Sequence, residues 1–207
     1  MSFLYRLKQT KNKSKFLQRL YDMSNVIISF SPFYLVREGL SDEDGLNVKP
    51  KIDPCDVGFL KPSEIKDISA NPEVPETEET LLKRLSFGWL CIGIKHHDEI
   101  AAYMWCSLRE CSSPHLSFYL REDEACLMDA RTFSSYRGKN LAPYLRVQLY
   151  KHLRQMGRTK FISITQYFNT SALRFKKKLN AKPQKLYVYI CLFRKYKRVI
   201  LLKRYKI

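Results

Sequence analysis

The stretch Thr132 to Leu153, TFSSYRGKNLAPYLRVQLYKHL, decides the fold. It opens at the end of an apolar strand, passes through a tight polar turn and continues as an amphipathic helix. Leu141, Leu145, Leu149 and Leu153 recur every fourth residue with Val147 beside them, the stripe of a helix packed on a sheet. Arg137, Gly138 and Lys139 stand where that helix begins. The first N–H groups of a helix have no partner within it, and the aligned peptide dipoles add partial positive charge there. A phosphate or pyrophosphate suits such a position. Gly138 lets the backbone come close, and Arg137 and Lys139 supply charge.

Upstream, Ala125 to Phe133 reads as the strand that feeds the turn. Strict alternation puts Leu127, Asp129, Arg131 and Phe133 on one side and Cys126, Met128, Ala130 and Thr132 on the other. Asp129 is a carboxylate in an otherwise apolar run. It would take a proton from an amine, directly or through water, or hold an ammonium group; the competing reading is a structural salt bridge.

The segment TFSSYRGKNLAPYL resembles the acyl-CoA pyrophosphate loop of the GNAT superfamily of N-acyltransferases, whose pattern is Arg or Gln, two residues, Gly, one residue, Gly or Ala. Arg137 takes the first position, Asn140 stands for the first patterned Gly and Ala142 fills the last. Asn tolerates the left-handed backbone best after Gly. A second match follows the short strand Lys160 to Thr165: NTSALRFKKKLNAKP, Asn169 to Pro183, is similar to the family's Asn-x-x-Ala-x-x-Phe-Tyr-x-x-x-Gly-Phe. Asn169, Ala172, Phe175 and Leu179 match, whereas Lys176 stands at the Tyr position and Asn180-Ala181 replaces Gly-Phe.

The resemblance implies an α/β fold with a mixed, mostly antiparallel sheet splayed at the cofactor-binding strand near Thr132 and flanked by helices. It implies direct attack of an amine on the thioester of acetyl-CoA, the acyl donor, with stabilisation of an oxyanion and protonation of the leaving thiolate. Carried over by position, Thr132 and Phe133 would pair with pantetheine, and Arg137, Gly138, Lys139, Asn140, Leu141 and Ala142 would cradle the pyrophosphate. Asn169 would approach the pantetheine arm. Candidates for protonating the thiolate are Lys176, Tyr167 and a water, with Lys176 otherwise solvated on a basic helix.

A length of 207 residues suits one core, and 45% hydrophobic residues argue for a folded globule. The six cysteines form no CxxC pair and are expected reduced, in keeping with a cytoplasmic protein; no metal site is expected. The apolar runs are about a strand long, too short to cross a bilayer as helices. The net charge of +17 gathers at the two ends around an acidic middle. An amine-bearing small molecule or sugar, itself anionic, is the expected acceptor, with an anionic membrane surface as a further partner; nucleic acid is not the expected partner. A second reading is an inactive GNAT-like module that binds a polyanion, and a third is transfer of an aminoacyl group from charged tRNA on a similar fold.

In chain order, residues 1–50 are expected to form a basic extension, with a short helix at Ser14 to Met23 and one or two strands from Val26 to Val36 interrupted by Pro32. Residues 51–207 are expected to form the acyltransferase domain. A strand at Asp56 to Leu60, helices beginning at Pro62 and Thr77, and the strands Trp89 to Lys95 and Glu99 to Leu108 follow. By resemblance, the two helices border the acceptor pocket. His96 and His97 read as turn residues. A further short strand is expected at Leu116 to Leu120, and the tail, Leu186 to Tyr205, as an antiparallel hairpin with lysines guarding its edge.

Overall fold

A computed structural model describes residues 28–39, 48–52 and 56–206; the helix expected at Ser14 to Met23 lies outside them. The strands are β1 (Ile28–Glu38), β2 (Asp56–Phe59), β3 (Leu90–His96), β4 (Glu99–Ser107), β5 (Glu110–Ser112), β6 (Ser117–Tyr119), β7 (Glu124–Thr132), β8 (Lys160–Gln166), β9 (Lys182–Leu192) and β10 (Tyr196–Arg204). The helices are α1 (Pro62–Ala70), α2 (Glu78–Ser86), α3 (Leu141–Gln155) and α4 (Thr170–Lys178). Eight strands form one sheet in the order β10-β9-β1-β8-β7-β4-β3-β2, and β5 with β6 forms a separate hairpin. All neighbours in the large sheet run antiparallel except β7 and β8.

Local chemistry sets the ends of the helices. Pro62 opens α1, and Glu64 reaches back to the Lys61 N–H at 2.6 Å. Thr77 caps α2 by accepting from the Thr80 N–H. The leucine stripe of α3 is fully buried, with Tyr150, against Ile92, Met104 and Leu127 on one face of the sheet. Each such leucine contributes about 2 kcal/mol on burial. Ile65, Ile68 and Leu81 of α1 and α2 cover the other face over Cys91, Tyr103, Trp105 and Phe133.

The expected boundary at residue 50 does not hold for β1. That strand lies inside the sheet, paired with β8 along Phe33 to Glu38 and with β9 along most of its length. Pro32 does not interrupt it. The Pro32 carbonyl accepts from the Tyr167 N–H at 2.9 Å, just beyond the last β8 residue paired with β1, Gln166. Its ring nitrogen lies on the same edge, so the strand loses only the reciprocal bond to Tyr167 at the very end of the β8 pairing and none to β9.

Two irregularities in β7 shape the centre of the molecule. Tyr103 pairs with Arg131 but Trp105 with Met128, so β7 carries one extra residue opposite Met104. This bulge, with Asp129 at φ +42°, breaks the strict alternation: Leu127 faces α3, whereas Phe133 joins Tyr103 and Trp105 on the opposite face. In addition, β7 and β8 pair only from Glu124/Lys160 to Cys126/Ile162. Beyond those residues both strands continue unpaired with each other, and the sheet opens into a cleft.

The cysteines also depart from expectation. Cys111 of β5 and Cys126 of β7 form a disulfide, while Cys91, Cys106 and Cys191 are free and buried. The β5–β6 hairpin, whose first strand the sequence did not reveal, brings Cys111 over β7. No helix among the described residues is long and apolar enough to cross a membrane.

Candidate active site

The turn ahead of α3 adopts the conformation its residues favour. Gly138 has φ +79°, and a Cβ there would meet nothing within 4 Å, so the glycine serves backbone geometry rather than space. Asn140 takes the left-handed conformation, φ 60° and ψ 22°, directly before the helix. Its Nδ2 donates to the Lys49 carbonyl at 2.8 Å, and the Lys51 N–H donates to the Lys139 carbonyl at 2.9 Å. The segment 48–52 thus braces the turn. No acidic residue occupies the first turn of α3, and Leu141 and Ala142 present its first N–H groups. A pyrophosphate fits this helix start on charge and backbone grounds.

Arg137 is already engaged. Its Nη2 lies 2.9 Å from Glu73, and its Nε donates to the Thr132 carbonyl at 3.2 Å. Glu73 also accepts from the Ser134 hydroxyl at 2.6 Å and the Ser134 N–H at 2.9 Å. These two bonds from Ser134, with the Arg137 charge, hold the Glu73 carboxyl below its ordinary range. At the end of β7 the Phe133 N–H is spent on the Ala101 carbonyl, and its ring is buried.

On the face of the sheet opposite α3 lies a cavity of about 410 Å³. Cys126, Met128 and Asp129 of β7 and Ile164 and Gln166 of β8 form its floor across the cleft, with the segment Cys111 to Pro114 on one side. Glu76, Arg84 and Trp89 close another side, so the loop before α2 and α2 itself border it. The bulge turns Asp129 into this cavity. Its partner is Arg84, at 2.8 Å, and not the neighbouring Arg131, which donates to the Glu73 carbonyl. Arg84 also approaches Glu76 at 3.8 Å and rests 5.4 Å from the ring centroids of Trp89 and Trp105. The Glu76 Oε2 is buried and without a hydrogen-bond partner.

The second motif forms α4. Asn169 caps it by accepting from the Ala172 N–H at 3.1 Å, so its side chain is committed to the helix start. Lys176 is not solvated. It is 6% exposed, donates to Ser163 Oγ at 2.6 Å and to Thr165 Oγ1, and pairs with Glu38 at 3.3 Å. Glu38, at the end of β1, further accepts from Ser163 and from Tyr150 at 2.7 Å, and lies 3.6 Å from the Arg146 Nε. Burial pushes the Glu38 carboxyl up, but Arg146, Lys176 and the two hydroxyls outweigh it and bring it down to about 2. Burial pushes the Lys176 ammonium down, and Glu38 restores only part, leaving it at about 8.

Tyr167, just past β8, is 41% exposed and stacks on Tyr34 at 5.3 Å. Lys176 reaches Ser163 and Thr165 on the helix-covered face of β8, whereas Asp129 shares its cavity with Ile164 and Gln166 on the other. The candidates therefore lie on opposite sides of the sheet, beside the place where β7 and β8 part. His96 sits 5.7 Å from the Tyr136 ring at a turn. Among the described residues no group of three or more His, Cys, Asp or Glu side chains is arranged to hold a metal ion.

Sequence reasoning did not single out Glu38, Glu73, Glu76 or Arg84. Glu38 had a signal of the kind that marked Asp129, a carboxylate closing the apolar run FYLVRE. The other three lie in segments that read as a charged loop and an exposed helix face.

The sequence matches no known family profile and no curated protein. The structure, however, is similar to solved GNAT proteins. A putative GNAT-family acetyltransferase from Novosphingobium aromaticivorans aligns over 87% of this chain and 67% of its own length, with 17% identity and a TM-score of 0.53. A tandem GNAT protein from the clavulanic acid biosynthesis pathway aligns over 80% and 54%, at 12% identity and a TM-score of 0.59. A GNAT-family acetyltransferase from Colwellia psychrerythraea aligns over 84% and 57%, at 15% identity and a TM-score of 0.55. The chain thus spans a little over half to two thirds of the length of these proteins. With the β7/β8 cleft and the turn ahead of α3, these likenesses establish that the chain has the GNAT N-acyltransferase fold.

Proposed function

We propose that the protein transfers an acetyl group from acetyl-CoA to a primary amine. The observation that carries this reading is the β7/β8 cleft: β7 runs on from it to the anion-favouring start of α3, and its two strands floor the cavity that Asp129 lines. The residues of the α3 turn, Arg137 to Ala142, would hold the pyrophosphate, and Thr132 the adjoining arm at the strand end. Acetyl-CoA supplies the acetyl carbonyl as a thioester.

Asp129 stands on the acceptor side, where it would hold the ammonium and take its proton before the nitrogen attacks. The new C–N bond replaces the C–S bond, and a proton must reach the departing sulfur. Lys176, at the position where the family carries Tyr, is the proposed donor: with its ammonium at about 8 it matches a thiol in acidity. Tyr167 is the alternative. Glu38, Ser163 and Thr165 fix the Lys176 ammonium in place. In place of the anionic acceptor expected from the overall charge, the acceptor is read as a cationic amine, because Glu76 and Asp129 line the cavity with Arg84 as their shared counter-charge.

A second reading, a polyanion-binding module without turnover, is favoured by the Glu73 carboxylate on Arg137 and by the burial of Lys176. Calorimetric titration with acetyl-CoA, beside dephosphorylated and shorter fragments, separates the two. Saturable binding that needs the pyrophosphate, with turnover on an amine panel, supports transfer; binding without turnover supports the module.

A further inference from the structure

The β9–β10 ribbon carries charge of one sign only. Between Lys182 and Lys206 the chain carries nine Lys and Arg residues and no acid. Among the described residues none of these cations is held in a salt bridge. The ribbon also exposes apolar side chains that a solvated edge would not need. By cross-strand pairing Tyr196 lies opposite Leu192, and Phe30 of β1 lies on the same face one residue pair further along. Phe30 is 66% exposed, and Leu192 and Tyr196 are exposed as well.

The turn at the end of the ribbon points the same way. The Lys195 N–H donates to the Leu192 carbonyl at 3.0 Å, and the two residues between, Phe193 and Arg194, have φ +51° and +57°. A two-residue turn of this hand favours Asn-Gly. Here a bulky aromatic and an arginine hold it at a conformational cost, and Phe193 projects outward, 64% exposed. The tip therefore presents an apolar ring between Arg194, Lys195, Lys197 and Arg198.

We propose that the β9–β10 ribbon docks the protein on an anionic lipid bilayer, with Phe193 entering the headgroup–acyl boundary and the flanking cations meeting the headgroups. Aromatic and aliphatic side chains beside cations suit that boundary. Nucleic acid would use the cations and aromatic faces but gives no role to exposed Leu192, Val199, Ile200 and Leu202. The inference does not depend on the acetyl-transfer reading.

The test uses the full chain with phosphatidylcholine vesicles, with and without phosphatidylglycerol. Sedimentation with the anionic vesicles alone is expected, and neutralising Lys197 or Arg198 lowers partition about fivefold each. In Phe193→Trp, fluorescence quenching by brominated lipid reports insertion of the tip. The double variant Phe193→Asn, Arg194→Gly relaxes the turn, so its Tm stays level or rises while vesicle binding falls by about tenfold or more. The proposal is overturned by no vesicle binding, by undiminished binding of that double variant, or by preferential binding of single-stranded nucleic acid that ignores Phe193. A dimer in solution that the double variant dissociates would assign the ribbon to self-association instead, and also overturns it.

Discussion

The Arg84 guanidinium meets the Asp129 carboxylate at 2.8 Å across the mouth of the cavity, where the β7 bulge has turned Asp129 out of the regular strand. A carboxylate on a left-handed backbone, held by an arginine that also faces Glu76, is pre-positioned rather than free to rotate. Asp129→Asn keeps the shape and removes the base. Turnover is expected to fall about a hundredfold or more with acetyl-CoA affinity retained. Steady-state kinetics beside calorimetry check this, and an unchanged rate would return Asp129 to a structural salt bridge.

Gly138→Asp places a negative charge where the phosphate is expected, and its Cβ meets no neighbouring atom. Acetyl-CoA binding should be lost, and the positive φ should cost about 1 kcal/mol of stability. Gly138→Asn serves as the uncharged control, with the same strain and much of the affinity. Equal affinity in both variants and the parent would remove the phosphate from this turn.

The Glu38–Lys176 pair gives a pH signature with a definite sign. Glu38 drops from an ordinary 4.5 to about 2 on folding, so its stabilisation is fully present above about 4.5 and fades as pH falls toward 2. Lys176 drops from 10.5 to about 8, so the folded state loses its proton first and stability rises with pH from about 8 to 10.5. Lys176→Met abolishes the alkaline rise and leaves Glu38 with Arg146 alone, costing about 3 kcal/mol. Urea titrations across pH measure both effects. A donor role for Lys176 adds a fall in parent turnover as pH rises through about 8, which a purely structural lysine does not produce.

Reducing the Cys111–Cys126 bridge opens a loop with a sequence separation of 15, and chain entropy alone predicts a loss of about 3 kcal/mol. Denaturation with and without reductant, beside Cys111→Ser, tests this. Because both cysteines line the cavity, acceptor KM should rise in the reduced protein while acetyl-CoA affinity holds.

Much of the fold was legible because its signals are local. The four-residue leucine period, Pro62 and Thr77 at helix starts, and the Asn140 backbone all act within a turn or two of chain. The role of β1 was hidden because its partners, β8 and β9, lie more than a hundred residues away, and the aperiodic, acid-rich segment that follows Gly39 imitates a domain boundary. The Cys111–Cys126 bridge was hidden for the related reason that a pairing depends on where two strands meet. Lys176 was marked by its place at the family's Tyr position but was read as solvated, because nothing in the run KKK shows which lysine is turned inward to Glu38.

By itself the sequence determined the turn before α3, the residue types at its helix start and the order of elements around it, since backbone preference and hydrophobic period are properties of neighbouring residues. Only the tertiary structure decided that one extra residue in β7 aims Asp129 at Arg84, that Glu38 draws Lys176 into the core, and that β7 and β8 part beyond Cys126. Each depends on register between strands or on burial of a charge beside its counter-charge. Those are energies of contact between distant segments, and they exist only once the chain has brought the segments together.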